Sequence, residues 1–209
     1  MEEDRLTSIL SVLETAMDLL FLNVLWLVCC FPVITIGIST TAMHYVAQKM
    51  VANEDYHIWS DFFHSFKQNW KQGIAVELIL AVMAFIAIAD FWIGTNLPGT
   101  IGMACQIIGV ITALVWIAIL GMIFPLIARY RNSLIHLLKN ALILEFTNPH
   151  IFLINIVLIA AWPVIIWLYQ DAFLVALPIL LLIYEAFSAY MIQMLLRPVY
   201  RKVDSSQGV

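Results

Sequence analysis

Glu185 is the residue of this sequence with the clearest capacity for chemistry, because it lies in the middle of a long apolar segment. The segment 172–196 has the length and composition of a membrane-spanning helix. A charged side chain at the centre of such a helix costs about 3 kcal/mol, so Glu185 must face other helices, be protonated or meet a partner. Two interpretations stay open: a carboxylate that couples proton or solute movement, and a hydrogen-bonding group that fixes helix packing.

Further polar side chains fall within predicted spans and could join Glu185 in an interior polar site. Each is an amide or a carboxyl group that can bond across helices where the bilayer offers no water. They are Asp18, Asn23, Asn155 and Gln193. Glu77 and Asp90 fall near the ends of a predicted span, where water is close. No Lys or Arg lies deep in a span to neutralise Glu185.

The common catalytic motifs are absent from the sequence. It contains no P-loop, no G-x-S-x-G, no H-E-x-x-H and no C-x-x-C. The histidines are scattered over predicted loops and interfacial helices, at positions His44, His57, His64, His136 and His150. The three cysteines are an odd number and lie in apolar stretches, so no disulfide framework is indicated. We therefore expect no enzyme, no cofactor and no metal site.

The composition predicts an all-α, polytopic membrane helix bundle that includes the whole chain, 1–209, as a single domain. Of the 209 residues, 63% are hydrophobic and 11% are charged, whereas a soluble domain carries about 25% charged residues. A bilayer core about 30 Å thick requires roughly 20 apolar residues in a helix. About five spans meet this requirement, namely 18–36, 74–94, 101–127, 150–168 and 172–196. Pro32, Pro125 and Pro198 are predicted to end three of them.

Amphipathic helices are predicted between the spans. In the segment 58–72, aromatic residues recur at helical spacing with basic residues between them. The candidate contact residues are Trp59, Phe62, Phe63, Phe66, Lys67 and Trp70. Two interpretations stay open: a helix that lies at the membrane surface, and a docking surface for a partner. A short helix over 39–52, capped by Ser39 or Thr40, precedes this segment.

The basic residues predict the orientation in the membrane. Nine of the ten Lys and Arg residues lie in 37–73, 128–149 and 197–209. The positive-inside rule places these segments in the cytoplasm, so five spans put the N-terminus outside and the C-terminus inside. The sequence does not indicate an oligomeric state. The lipid bilayer is the expected partner, and no nucleic-acid partner is expected because no basic patch is present.

A faint similarity at an offset of 72 residues divides most of the chain into two units. The aligned positions are 62–67 with 134–139, and Arg129 with Arg201. Two interpretations stay open. One is a tandem repeat of 58–129 and 130–201, as in transporters built from parallel repeats; the other is a coincidence in an apolar sequence.

Several short motifs together resemble a known family. They are 23–26 (Asn-Val-Leu-Trp), 31–37 (Phe-Pro-Val-Ile-Thr-Ile-Gly), 41–45 (Thr-Ala-Met-His-Tyr) and 62–70 (Phe-Phe-His-Ser-Phe-Lys-Gln-Asn-Trp). This pattern is similar to the YesL family of bacterial integral membrane proteins, which implies a location in the bacterial plasma membrane. Within the second motif, we expect Pro32 to end the span, Thr35 to cap and Gly37 to permit a bend.

The resemblance implies little about activity, and the first hypothesis is a protein that contributes no chemistry of its own. Members of this family often occur alongside carbohydrate uptake systems, so the first hypothesis is an accessory or interaction partner of ABC-type sugar importer subunits. The resemblance implies no catalytic or ligand residues. The alternative hypothesis is a small-solute transporter or channel, in which Glu185 and the polar residues of the first span line a path. An enzyme acting on lipid or glycan is the third hypothesis.

Overall fold

The computed structural model describes residues 2–168 and 173–206; for 2–6, 8, 162, 163, 166, 168, 173–182, 205 and 206 it describes the backbone alone. These residues form α1 (Glu2–Cys29), α2 (Ile36–Ala52), α3 (Ile58–Asn96), α4 (Gly99–Arg129), α5 (Leu134–Thr147), α6 (Pro149–Leu168) and α7 (Phe173–Ser206), with a 3-10 turn at Val33–Thr35. The described part of the chain contains no strand. The predicted all-α class is therefore confirmed.

The prediction of about five spans is not exact. Among the described residues, three helical stretches are long and apolar enough to cross a membrane: Ile9–Cys29, Ile58–Asn96 and Gly99–Arg129. The residues Leu134–Thr147 and Pro149–Ala161 meet at a bend of 104° and add a fourth span if they are counted as one broken helix. The predicted turn with Gln170 and Asp171 lies outside the described residues.

The first span ends earlier than predicted, before Pro32, and Thr35 bonds the carbonyl groups at its end. Helix α1 stops at Cys29 instead of reaching residue 36. The Thr35 hydroxyl donates to the carbonyls of Cys29 and Pro32, both at 2.6 Å, and so satisfies acceptors left open where the helix ends. The prediction that Ser39 or Thr40 caps the next helix is wrong, since both residues lie inside α2.

The amphipathic segment and the second predicted span form one helix. Helix α3 runs for 39 residues without interruption, which corresponds to about 58 Å at 1.5 Å per residue. Its start is fixed by Asp61, which accepts hydrogen bonds from the backbone N–H of His57 at 2.9 Å and from Lys49 Nζ at 2.9 Å. An unbroken helix does not make the sharp turn that a separate helix lying flat on the membrane would require.

Two of the prolines predicted to end spans lie inside helices. Pro125 is buried within α4, which continues to Arg129. Pro198 lies within α7, which continues to Ser206. Apolar helices tolerate proline because neighbouring helices can satisfy the backbone groups that proline leaves open.

The buried side chains form two apolar clusters that share α3 and α7. The first joins α3, α4, α5, α6 and α7, and the second joins α1, α2, α3 and α7. Many large apolar side chains on the outside of α3 and α4 are exposed, for example Phe85, Trp92 and Ile101. Outward apolar side chains around polar interior positions are the arrangement expected of helices in lipid.

Helices α2 and α3 approach closely through two glycines. A Cβ atom placed on Gly37 would lie 2.7 Å from the Gly73 carbonyl oxygen, and one placed on Gly73 would lie 2.9 Å from Ile38 Cα. Small residues at such crossings let helix backbones pack against each other in membranes. The expectation that Gly37 permits a bend is therefore wrong, because Gly37 lies inside α2 and serves close packing.

We expect Gly37→Ala to lower the free energy of unfolding by about 1–2 kcal/mol, because the added methyl group must push α2 away from α3. Thermal unfolding of the purified protein in detergent measures the change. Ser60→Ala, at an exposed position of α3, is the control and should leave the midpoint unchanged. An unaltered midpoint for Gly37→Ala would contradict the close contact.

Candidate functional site

A cavity of about 520 Å³ lies among the helices and is lined by residues of α1, α2, α3, α4, α6 and α7. Most of its wall is apolar, with a few polar groups that converge on it. The polar lining residues with titratable, amide or hydroxyl groups are Thr40, His44, Glu77, Asn155, Tyr184, Glu185 and Ser188. A largely apolar cavity of this size with a few polar groups is typical of a small-molecule binding site.

Two carboxylates line this cavity from different helices. Glu77 projects from α3, and its Oε2 atom accepts a hydrogen bond from the Gly37 backbone N–H at 3.2 Å. Glu185 projects from α7. The described residues that line the cavity include no Lys or Arg.

The part of α7 that carries Glu185 is bonded to α1. Asn23 Oδ1 accepts a hydrogen bond from the backbone N–H of Ala186 at 2.7 Å, and the Ser188 hydroxyl donates to the Glu185 carbonyl at 2.8 Å. Asn23 is fully buried. This buried bond between α1 and α7 fixes the backbone on which Glu185 is mounted.

A third carboxylate, Glu145, lies behind the cavity wall and is reached through Asn155. Both residues are 1% exposed, and Asn155 Nδ2 donates to Glu145 Oε1 at 2.6 Å. Asn155 Oδ1 has no hydrogen-bond partner among the described residues. A Cβ atom on Gly121 would lie 2.5 Å from Asn155 Nδ2, so a methyl group at position 121 would displace the Asn155 side chain.

The donor groups of the cavity wall are largely used within the protein. Trp116 Nε1 donates to the Leu80 carbonyl at 2.8 Å, Trp26 Nε1 donates to Thr40 Oγ1 at 3.1 Å, and the Tyr184 hydroxyl donates to the Leu158 carbonyl at 2.6 Å. The carboxylates and Asn155 Oδ1 are acceptors. The wall therefore offers mainly acceptors to a bound molecule.

His44 lines this cavity and contacts Gln193 of α7. Gln193 Nε2 lies 3.5 Å from His44 Nδ1 and 3.4 Å from the His44 carbonyl oxygen. Burial lowers the pKa of His44 to about 3, because removal from water disfavours the imidazolium. His44 is therefore neutral at pH 7. His44 lies in α2, the short helix predicted over 39–52, and its side chain is buried.

The five polar residues singled out from the sequence do not form one cluster. Glu185 and Asn155 line the cavity, Asn23 supports Glu185 from α1, and Gln193 contacts His44. Asp18 lies elsewhere and accepts a hydrogen bond from the Tyr56 hydroxyl at 2.5 Å.

Sequence reasoning missed Glu145 and the part played by Glu77. The sequence predicts Glu77 near the end of a span, where water is close, whereas in the structure it lines the same cavity as Glu185. Glu145 did carry a signal: it follows Ala141 by one helical turn and so lies on the apolar face of α5.

The segment predicted to dock a partner contributes largely to the core. Phe62 is fully buried, and Phe63 and Phe66 are partly buried against the α1–α2–α3–α7 cluster. Trp59 is 61% exposed and Trp70 is 50% exposed, and Lys67 is exposed. The surface that a partner could reach on this segment is therefore smaller than predicted, and the docking role itself stays a prediction.

Among the described residues, no group of three or more His, Cys, Asp or Glu side chains could hold a metal ion.

Long apolar helices with polar groups turned to an interior cavity define a helical membrane protein. A family model described as "Protein of unknown function, DUF624" matches residues 19–91. The chain is 25% identical over 144 residues to "Uncharacterized protein YesL" of Bacillus subtilis (strain 168), and the aligned part covers 66% of each chain. No solved structure gives a significant match. These matches confirm the predicted resemblance to a YesL-like family.

We expect Asn155→Ala to lower the free energy of unfolding by about 1–3 kcal/mol, because it leaves the buried Glu145 carboxyl group without its partner. The double variant Glu145→Leu/Asn155→Leu should lose less free energy of unfolding than the sum of the losses in Glu145→Leu and in Asn155→Leu, because it leaves no orphaned polar group. Thermal unfolding in detergent measures both effects, and Asn132→Ala at an exposed position is the control. Additive effects would show that the two side chains are not coupled.

Proposed function

We propose that the protein binds a small solute in the cavity between its helices and carries it across the membrane. The observation on which this rests is the placement of Glu77 and Glu185, from α3 and α7, around one cavity of about 520 Å³. This volume lies within the range of about 300–1,000 Å³ typical of small-molecule sites. Ionisable groups inside a membrane bundle are expensive, and where they face a cavity they commonly mark a substrate or ion pathway.

The chemistry of the wall favours a solute that donates hydrogen bonds or carries positive charge. Glu77, Glu185 and Asn155 Oδ1 are acceptors, whereas the indole N–H groups of Trp26 and Trp116 are already bonded to the protein. Indole rings also attract cations through their π faces. A small cation or protonated amine would offset the cost of the two carboxylates, and a polyol would offer hydroxyl donors to the same acceptors.

A second candidate is the accessory role in carbohydrate uptake, which stays a prediction. The observation in its favour is the exposure of Trp59, Lys67 and Trp70 on α3, since exposed aromatic and cationic side chains are frequent in docking surfaces. The accessory role requires a partner such as an ABC-type importer subunit, whereas the transport role requires none. Both the accessory role and the transport role are compatible with the predicted orientation, in which the C-terminus lies in the cytoplasm.

The transport proposal is tested with purified protein in liposomes and three radiolabelled probes: rubidium ion, methylamine and glucose. We expect uptake of at least one probe above that of empty liposomes. Glu185→Gln and Glu77→Gln should each reduce this uptake about tenfold or more, because each removes a charge-assisted contact worth about 1.5–3 kcal/mol.

The matched control is Asp90→Asn, which removes a carboxylate from the same helix as Glu77 but outside the cavity. Its uptake should equal that of the unaltered protein. Uptake that survives both glutamate substitutions, or the absence of uptake for all three probes, would contradict the proposal. Recovery of importer subunits with a protein that transports none of the probes would favour the accessory role instead.

A further inference from the structure

A second, smaller cavity of about 200 Å³ lies at the end of the bundle where α2 and α4 terminate beside α7. Three arginines line it: Arg129 at the end of α4, and Arg197 and Arg201 on α7. Among the residues singled out from the sequence, Gln193 borders it, but neither carboxylate of the larger cavity does. The two cavities therefore differ in charge as well as in place.

The positive charge of this cavity is only partly balanced. Arg129 is paired with Asp204 at 2.5 Å, and its guanidinium lies 4.6 Å from the centre of the Tyr200 ring. Within the described part of the chain, no carboxylate lies within 4 Å of the Arg197 or Arg201 guanidinium. Glu54 is the one carboxylate among the described lining residues.

The spacing of Arg197 and Arg201 brings two like charges together. Residues four apart on a helix lie on one face, and like charges at that spacing destabilise the helix. A bound anion would turn this repulsion into attraction, because each guanidinium can donate two parallel hydrogen bonds to one phosphate group.

Buried donors without a partner supply an independent indication of a ligand. Tyr200 is 3% exposed and lines the cavity, yet its hydroxyl has no partner among the described residues. Gln48 Nε2, also in the cavity wall, is buried and equally without a described partner. An orphaned buried donor costs about 1–3 kcal/mol unless an acceptor reaches it. Phosphate oxygens would accept from both, while Gln193 Oε1, an acceptor left open in the same wall, suits the hydroxyl of a monoprotonated phosphate.

We propose that this cavity binds a phosphate group through Arg197, Arg201 and the Tyr200 hydroxyl. The group belongs either to the headgroup of an anionic phospholipid or to a soluble phosphate compound. The site lies at the basic end of the bundle, which the positive-inside rule assigns to the cytoplasm, where anionic headgroups are abundant. This inference is independent of the proposed transport.

The test uses the full-length protein and two probes. Inorganic phosphate is titrated by calorimetry into protein in neutral detergent. Phosphatidylglycerol is compared with a phosphate-free galactolipid by native mass spectrometry. We expect saturable binding of phosphate, of phosphatidylglycerol or of both. Binding of phosphate alone would assign the site to a soluble compound, and retention of phosphatidylglycerol alone would assign it to a lipid headgroup.

The variants decide whether this cavity is the binding site. Arg197→Gln/Arg201→Gln should weaken binding about a hundredfold, since each charged hydrogen-bonding partner contributes about tenfold. Arg131→Gln removes an exposed arginine near the end of α4 but outside the cavity, and should leave binding unchanged. Tyr200→Phe should weaken binding severalfold while the ligand-free protein keeps or gains thermal stability, because the orphaned hydroxyl is gone. No binding of either probe, or equal losses in Arg131→Gln and the double variant, would overturn the proposal.

Discussion

Most of the interhelical order of this bundle depends on polar groups that find partners within the protein, because the surrounding hydrocarbon offers none. The answer in this chain is a set of side chains that reach the backbone of another helix. Trp116 bonds α4 to the Leu80 carbonyl of α3, Tyr184 bonds α7 to the Leu158 carbonyl of α6, and Asn23 bonds α1 to the Ala186 amide of α7. Because each of these hydrogen bonds ends on a backbone atom, it fixes the position of a whole helix and not only the rotamer of one side chain. These three hydrogen bonds fix the relative positions of helices that line the larger cavity.

The positions of the small residues in α2 and α3 determine where these helices pack closely and where the larger cavity stays open beside them. Gly37 and Gly73 bring α2 against α3, and the same stretch of α3 carries Glu77, which bonds the Gly37 amide. The carboxylate is thereby held at a helix crossing and lines the cavity from there. The same short stretch of α3 therefore provides both the close packing against α2 and the carboxylate acceptor that lines the cavity.

The sequence predicted well the features that depend on composition and failed where helices continue or meet. Apolar runs and the absence of strand signals indicated an all-α membrane bundle, and the isolated charge of Glu185 identified a residue that lines the cavity. The prediction that Pro125 and Pro198 end their helices was wrong, because neighbouring helices in a bundle can satisfy the backbone groups that proline leaves open. Periodicity also did not reveal that α5 and α6 meet at a bend of 104°.

The polar site was harder to predict than the fold because its members come from separate helices. His44 and Glu145 are far apart along the chain, and only Glu145 carries a local signal, its place on the apolar face of α5. Their burial depends on which face α2 and α5 turn to α7 and α6, and no single segment encodes that choice. Glu77 illustrates the same limit, since its distance from the span end mattered less than its position opposite Gly37.

Asn155 packs directly against Gly121. Position 121, although it has no side chain, is therefore the most informative position for comparing the polar interior of relatives. The amide occupies the volume that a methyl group at position 121 would need, so a change at position 121 shifts the side chain at position 155. A relative with alanine at 121 would have to give up the amide at 155 or move α6, and either change would alter the cavity. Paired inheritance of glycine and asparagine would therefore mark the relatives that keep the same polar interior.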